Sequence, residues 1–131
     1  MDAERLRKRT KDFAHRCVKL SLALPEDYLG RHIKRQLIRC ATSVAANYRA
    51  VCLAQSKPDF VAKLSVAVEE ANECIFWIEF AVEENLVGMK AAALLLNEAR
   101  ELTAIFVAAR KSARNRSSEF IKPEEAQNNN Q

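Results

Sequence analysis

Four stretches of this chain set their apolar residues at alternating steps of four and three, a spacing that only a helix turns into one continuous face. The first row is Leu6, Thr10, Phe13, Cys17, Leu20 and Leu24, and Pro25 closes it. The second is Ile33, Leu37, Cys40, Val44, Asn47 and Val51. Phe60, Leu64, Ala67, Ala71, Cys74, Ile78 and Ala81 form the third, and Leu95, Ala99, Leu102, Phe106, Ala109 and Ala113 the fourth. Helices of about 20–27 residues joined by short connections pack as antiparallel neighbours. The pattern predicts an all-α, up-down-up-down four-helix bundle. Only two Gly and three Pro interrupt 131 residues, too few for the turns of a sheet protein.

Local signals place the helix ends. Ser56 followed by Asp59 reads as an N-cap with a carboxylate in the first turn, where Pro58 is tolerated. Gly88, after Asn85-Leu86-Val87, suits a left-handed cap closing the third helix. Arg110, Lys111, Arg114 and Arg116 crowd the end of the fourth, where cations complement the helix dipole. We expect the bundle to occupy residues 1–116. A polar tail, expected to be disordered, occupies 117–131 and ends in Gln127-Asn128-Asn129-Asn130-Gln131.

Several function classes find no support in the residues. No apolar run approaches the roughly 20 residues of a membrane span. No apolar stretch follows the charged start, so we expect no secretory signal and a cytoplasmic protein. Cys17, Cys40, Cys52 and Cys74 form no C-x-x-C pair, and we expect reduced, buried thiols. There is no Gly-rich phosphate loop and no G-x-S-x-G elbow. The Glu-x-x-His pairs of di-metal bundles are missing, since His15 follows Asp12 and His32 follows Leu29 at that spacing. We therefore expect no catalysis, no metal or other cofactor and no small-molecule substrate.

Charge is unevenly distributed. Residues 1–55 carry 12 Lys/Arg against 5 Asp/Glu, whereas residues 56–109 carry 4 against 9. A basic half and an acidic half can pair within a bundle, pair between subunits, or leave a basic face for polyanions. Arg31, Lys34, Arg35 and Arg49 are the candidates for contacting RNA or DNA. The alternative is a protein-interaction scaffold in which these charges serve assembly. The direction taken by Arg5, Arg7, Lys8 and Arg9, with Arg31, Lys34 and Arg35, discriminates the two.

Arg31, Arg35, Arg39, Ser43 and Asn47 of the second helix lie on one ridge of four-residue steps that drifts from solvent into the apolar seam. Asn47 is expected there as a core amide specifying register. Pairing helices two and three about the loop at 55–57 puts Arg39 within reach of Glu69, Glu70 and Glu73, in a largely buried ion pair, with Asp12 a second candidate. Helix three also has apolar residues away from its seam. Val66, Phe76 and Phe80 fall on the far side and Trp77 flanks it, as Leu94 and Ile105 do on helix four. A contiguous exposed aromatic patch marks an association site, so these residues are candidates for a subunit interface. A basic helix meeting a neighbour's acidic helix would be a heterologous contact, which closes into a ring when the rotation permits.

The segment Gln36-Leu37-Ile38-Arg39-Cys40-Ala41-Thr42-Ser43-Val44-Ala45-Ala46-Asn47 resembles the signature of the bacterial four-helix bundle proteins encoded in intervening sequences of large-subunit ribosomal RNA genes. Ser56 to Phe60 is similar to that family's S-x-x-x-F helix start, and Glu70 to Glu79 to its E-x-x-E-x-x-x-W/L-x-E stretch. The resemblance covers about residues 10–112. It implies a protomer that assembles into a homopentameric, barrel-like ring. It also implies kinship with the accessory variability protein of diversity-generating retroelements, which associates with nucleic acid and a reverse transcriptase. The family's ribosomal label reflects gene location. Many members carry Ala-Glu-Gly after the Asn, where this chain has Tyr48-Arg49-Ala50-Val51.

Overall fold

A computed structural model of the chain describes residues 2–116 and, beyond them, Pro123. Four helices run in order: α1 (Ala3–Leu22), α2 (Tyr28–Cys52), α3 (Lys57–Glu83) and α4 (Met89–Asn115). No strand occurs among the described residues. The expected tail at 117–131 lies outside them, apart from Pro123. Each helix packs on the next in sequence, and α4 returns to α1, so α1 lies diagonal to α3 and α2 diagonal to α4. The α1–α4 side is the most sparsely packed of the four.

The four apolar rows supply most of the core. Phe13, Cys17, Leu37, Cys40, Val44, Ala67, Cys74, Ile78, Leu102 and Phe106 are all fully buried. Small side chains on the facing seams of α3 and α4, Ala67, Ala71, Ala81, Ala92 and Ala99, are fully buried as well. Cys17, Cys40 and Cys74 bring free thiols from three helices together, with the sulfurs of Cys40 and Cys74 3.2 Å apart. Hydrogen bonds with Cys17 and Cys40, and then burial, push the Cys74 thiol up, so it stays protonated and packs as a small apolar group.

Helix ends follow the local chemistry. Asp2, Asp27 and Ser56 are N-caps whose side chains accept from Arg5, Gly30 and Asp59 N–H at 2.8, 2.7 and 3.2 Å. The end of α3 differs from expectation. Asn85, not Gly88, takes the left-handed conformation, at φ 60°. The Leu86 N–H donates to the Ala81 carbonyl (2.9 Å) and the Asn85 N–H to that of Val82 (3.0 Å), which is a Schellman closure. Asparagine tolerates this geometry because its short polar side chain bonds locally. Gly88 is extended (φ −77°, ψ 147°) and starts α4 instead.

A second correction concerns Asn47. It is half-buried, and its amide donates to the Ser43 carbonyl and hydroxyl, both at 2.9 Å, so its bonds stay within α2 and fix no register between helices. Tyr48 occupies the core in its place and stacks on Phe106 of α4, with centroids 5.6 Å apart and planes 18° from parallel. A straight helix drifts about 20° per heptad against a strict seven-residue repeat. Along α2 the buried face runs through Leu37, Cys40, Val44, Tyr48, Val51 and Cys52, so the expected row is displaced only at Asn47 and Val51 is buried as its spacing predicts.

Candidate nucleic-acid interface and subunit face

The short connection at 23–27 folds α2 back along α1, bringing the first turns of α1 beside the last turns of α2. There the two helices border an open groove of about 570 Å³. Its surface is recessed where α2 carries only Ala45 and Ala46, and Arg7, Lys8, Lys11 and Arg49 line it together with Glu4. Lys8 also pairs with Asp12 at 2.9 Å, a contact largely open to solvent. Arg7, Lys11 and Arg49 make no ion pair among the described residues. Four cations thus share one concave surface that α3, on the diagonal, does not cover.

Of the four cations singled out in the sequence, only Arg49 lies in this groove. Arg31, Lys34 and Arg35 sit near the start of α2, and the 18 residues from Arg31 to Arg49 span about 27 Å of helix. Two of these three are engaged with the α1–α2 loop. Arg31 donates to the Glu26 carbonyl (2.7 Å), and Lys34, with much of its side chain covered, pairs with the Glu26 carboxylate. That hydrogen bond, with the lysine's charge, holds the Glu26 carboxyl below the usual carboxylate range. Arg35 is exposed. Arg9 is occupied elsewhere: its guanidinium pairs with Glu98 (2.5 Å) and Glu101, tying α1 to α4. Arg7, Lys8 and Lys11 were separable from the other cations by reflecting α2 about the turn at 23–27, which sets Arg49 against the start of α1.

The expected α2–α3 ion pair is present. Arg39 bonds Glu70 (3.1 Å) and Glu73 (2.5 Å), while Asp12 pairs with Lys8. The Arg39 side chain is 49% exposed, so the pair is more solvated than anticipated. The guanidinium holds the Glu73 carboxyl below its ordinary range; burial opposes this, and the Trp77 indole N–H (3.3 Å) assists it. A depressed carboxyl contributes stability that is complete above the ordinary Glu value and is lost as pH falls through the folded one. Because Trp77 is the one tryptophan, an acid titration of its fluorescence should show a transition below the usual Glu range. Arg39→Ala should move that midpoint to higher pH. An unmoved midpoint would show that Arg39 does not control Glu73.

On α3, Phe76 is 52% exposed and Val66 is exposed beyond it, while Trp77 and Phe80 are half-covered. Phe76 meets Trp77 edge-on at 4.9 Å and lies 5.8 Å from Phe80, and His32 of α2 meets the other side of Trp77 at 5.4 Å. Among the described residues no group of three or more His, Cys, Asp or Glu could hold a metal ion. None of their helices is long and apolar enough to cross a membrane.

With this bundle in view, the family model described as 23S rRNA-intervening sequence protein matches residues 4–108, which takes in all of α2 and α3 and most of α1 and α4. The chain belongs to the 23S rRNA-intervening sequence protein family. A crystal structure of another protein is similar to this chain. It comes from Bacteroides thetaiotaomicron VPI-5482 and is described as a protein of unknown function from the S23 ribosomal protein family. The two are 28% identical, with a TM-score of 0.78 over 85% of this chain and 99% of that one. No curated protein matches the chain.

Proposed function

We propose that this member of the intervening-sequence family is a non-catalytic, self-assembling bundle that contacts nucleic-acid phosphates through the α1–α2 groove. Its assembly is the five-membered ring implied by the resemblance. The convergence of Arg7, Lys8, Lys11 and Arg49 on one concave surface carries the nucleic-acid reading. Tyr48, next to Arg49 in sequence, is buried, and among the described residues no exposed aromatic lines the groove. The groove therefore suits backbone charge over stacked bases.

Fluorescence anisotropy of labelled RNA and duplex DNA at several salt concentrations tests this. Each neutralised phosphate contributes a slope of about −0.9 in log affinity against log salt on B-DNA. Replacing Arg7, Lys8, Lys11 and Arg49 by Ala together should flatten the slope by about three to four units and abolish measurable binding near 0.15 M salt. Replacing Arg31, Lys34 and Arg35 should change it by about one unit or less, because two of the three already have partners. No binding by the unaltered protein at 50–100 mM salt overturns the reading and favours the protein-interaction scaffold, for which the exposed Phe76 patch is the specific support.

A further inference from the structure

The α1–α4 side, the loosest of the bundle, holds a second groove of about 280 Å³ at the end where α1 finishes and α4 begins. Leu20, Ala23, Leu94 and Leu95 form its apolar wall, and Arg16 and Lys19 stand on one edge. Leu94 is 69% exposed, and neither cation has an ion pair among the described residues. This surface combines what a solvated helix face avoids, open leucine area, with charge of one sign.

The complementary surface is present on the same chain. The exposed ridge of α3 carries Phe76 with Phe80 one turn on, flanked by Glu69 and Glu83, which likewise have no ion pair among the described residues. Ridge and groove lie at similar height along the bundle, because the connection at 84–88 brings the end of α3 beside the start of α4. They face opposite ways, since α3 is diagonal to α1. For comparison, an apolar cavity of roughly 150 Å³ holds a benzene molecule, so this groove has room for a phenylalanine ring.

We propose that the α1–α4 groove receives the Phe76 ridge of a second copy of this chain, with Arg16 and Lys19 set against Glu69 and Glu83. This rests on the self-assembly proposed above and names the surfaces that carry it. One copy cannot fit its own ridge into its own groove, so every contact leaves one ridge and one groove free. The assembly is therefore head-to-tail and closes only as a ring.

Charge exchange with mass by light scattering and sedimentation decides it. The unaltered chain should be oligomeric at micromolar concentration. Arg16→Glu with Lys19→Glu should lower the mass to that of a single chain, and so should Glu69→Lys with Glu83→Lys. All four positions lie at the surface, so far-UV circular dichroism should stay unchanged. A chain carrying all four reversals should recover the original mass, which a merely destabilised variant would not do. If the unaltered chain is monomeric, the self-assembly reading falls and takes this one with it. If the unaltered chain is oligomeric and either pair of reversals leaves its mass intact, or the fourfold variant stays monomeric, the groove assignment alone is overturned.

Discussion

Gly30→Ala is expected to destabilise the protein by about 3 kcal/mol, the upper end of ordinary overpacking costs. By propensity alone the change should help, since Ala is favoured over Gly in a helix by about 1 kcal/mol. The surroundings reverse the sign. A Cβ built on Gly30 would lie 2.0 Å from the Pro25 carbonyl oxygen and 2.9 Å from its carbon. Both are backbone atoms of the α1–α2 connection, so no side-chain rotation relieves the contact. The same Cβ would press within 3.0 Å of the Asp27 carboxylate that caps α2. Accommodating it means moving the turn or giving up the cap. A fall of roughly 10 °C in Tm should follow, read by circular dichroism at 222 nm. An unchanged or raised Tm would show that the turn yields freely and that the close approach carries no energetic weight.

Phe106→Ala should cost about 3–5 kcal/mol, the range for removing a fully buried phenyl group. The ring stacks on Tyr48, so the cavity would open against a second aromatic that is itself buried. Burial, aided by the neighbouring Cys52, pushes the Tyr48 phenol up, so it stays neutral in any ordinary buffer. Nothing in that stack therefore depends on pH between 5 and 8. Denaturant unfolding should show a reduced midpoint with an unchanged slope. A double-mutant cycle with Tyr48→Leu should return a coupling of about 0.5–1.5 kcal/mol. A loss below about 1 kcal/mol would mean that α4 collapses into the space, contrary to close packing at that layer.

These two positions mark the boundary of what the sequence made legible. Phe106 was placed in the core by its spacing from Leu95, Ala99 and Leu102, a local pattern that holds whatever the helix packs against. Gly30 carried no such signal, because its requirement comes from the path of the loop before it. The same division runs through the candidate site. Arg39 with Glu70 and Glu73 was readable by reflecting one helix about a short turn. The basic groove was only half readable: Arg49 was singled out and Arg7 and Lys8 were named among the deciding cations of the first helix, but nothing in local spacing joined them to Arg49, and Lys11 was not named. Asn47 and Tyr48 show a third limit. The heptad row of α2 holds from Ile33 to Val51 except at one step, where a single position of drift puts Tyr48 in the core and leaves Asn47 half-buried.

The sparse packing of α1 on α4 has a consequence for dynamics. α1 is held chiefly by α2, with the Arg9 clasp to Glu98 and Glu101 on its other side, whereas α2, α3 and α4 form a continuous packed series. Both terminal helices have one main packed neighbour, and α1, whose contact with α2 is lighter than that of α4 with α3, is the one that amide exchange should find opening first. It also supplies three of the four cations of the basic groove. Affinity for a polyanion is then linked to the closed population of one helix, and anything that strengthens or loosens the clasp on α4 tunes a surface on the helix's far side.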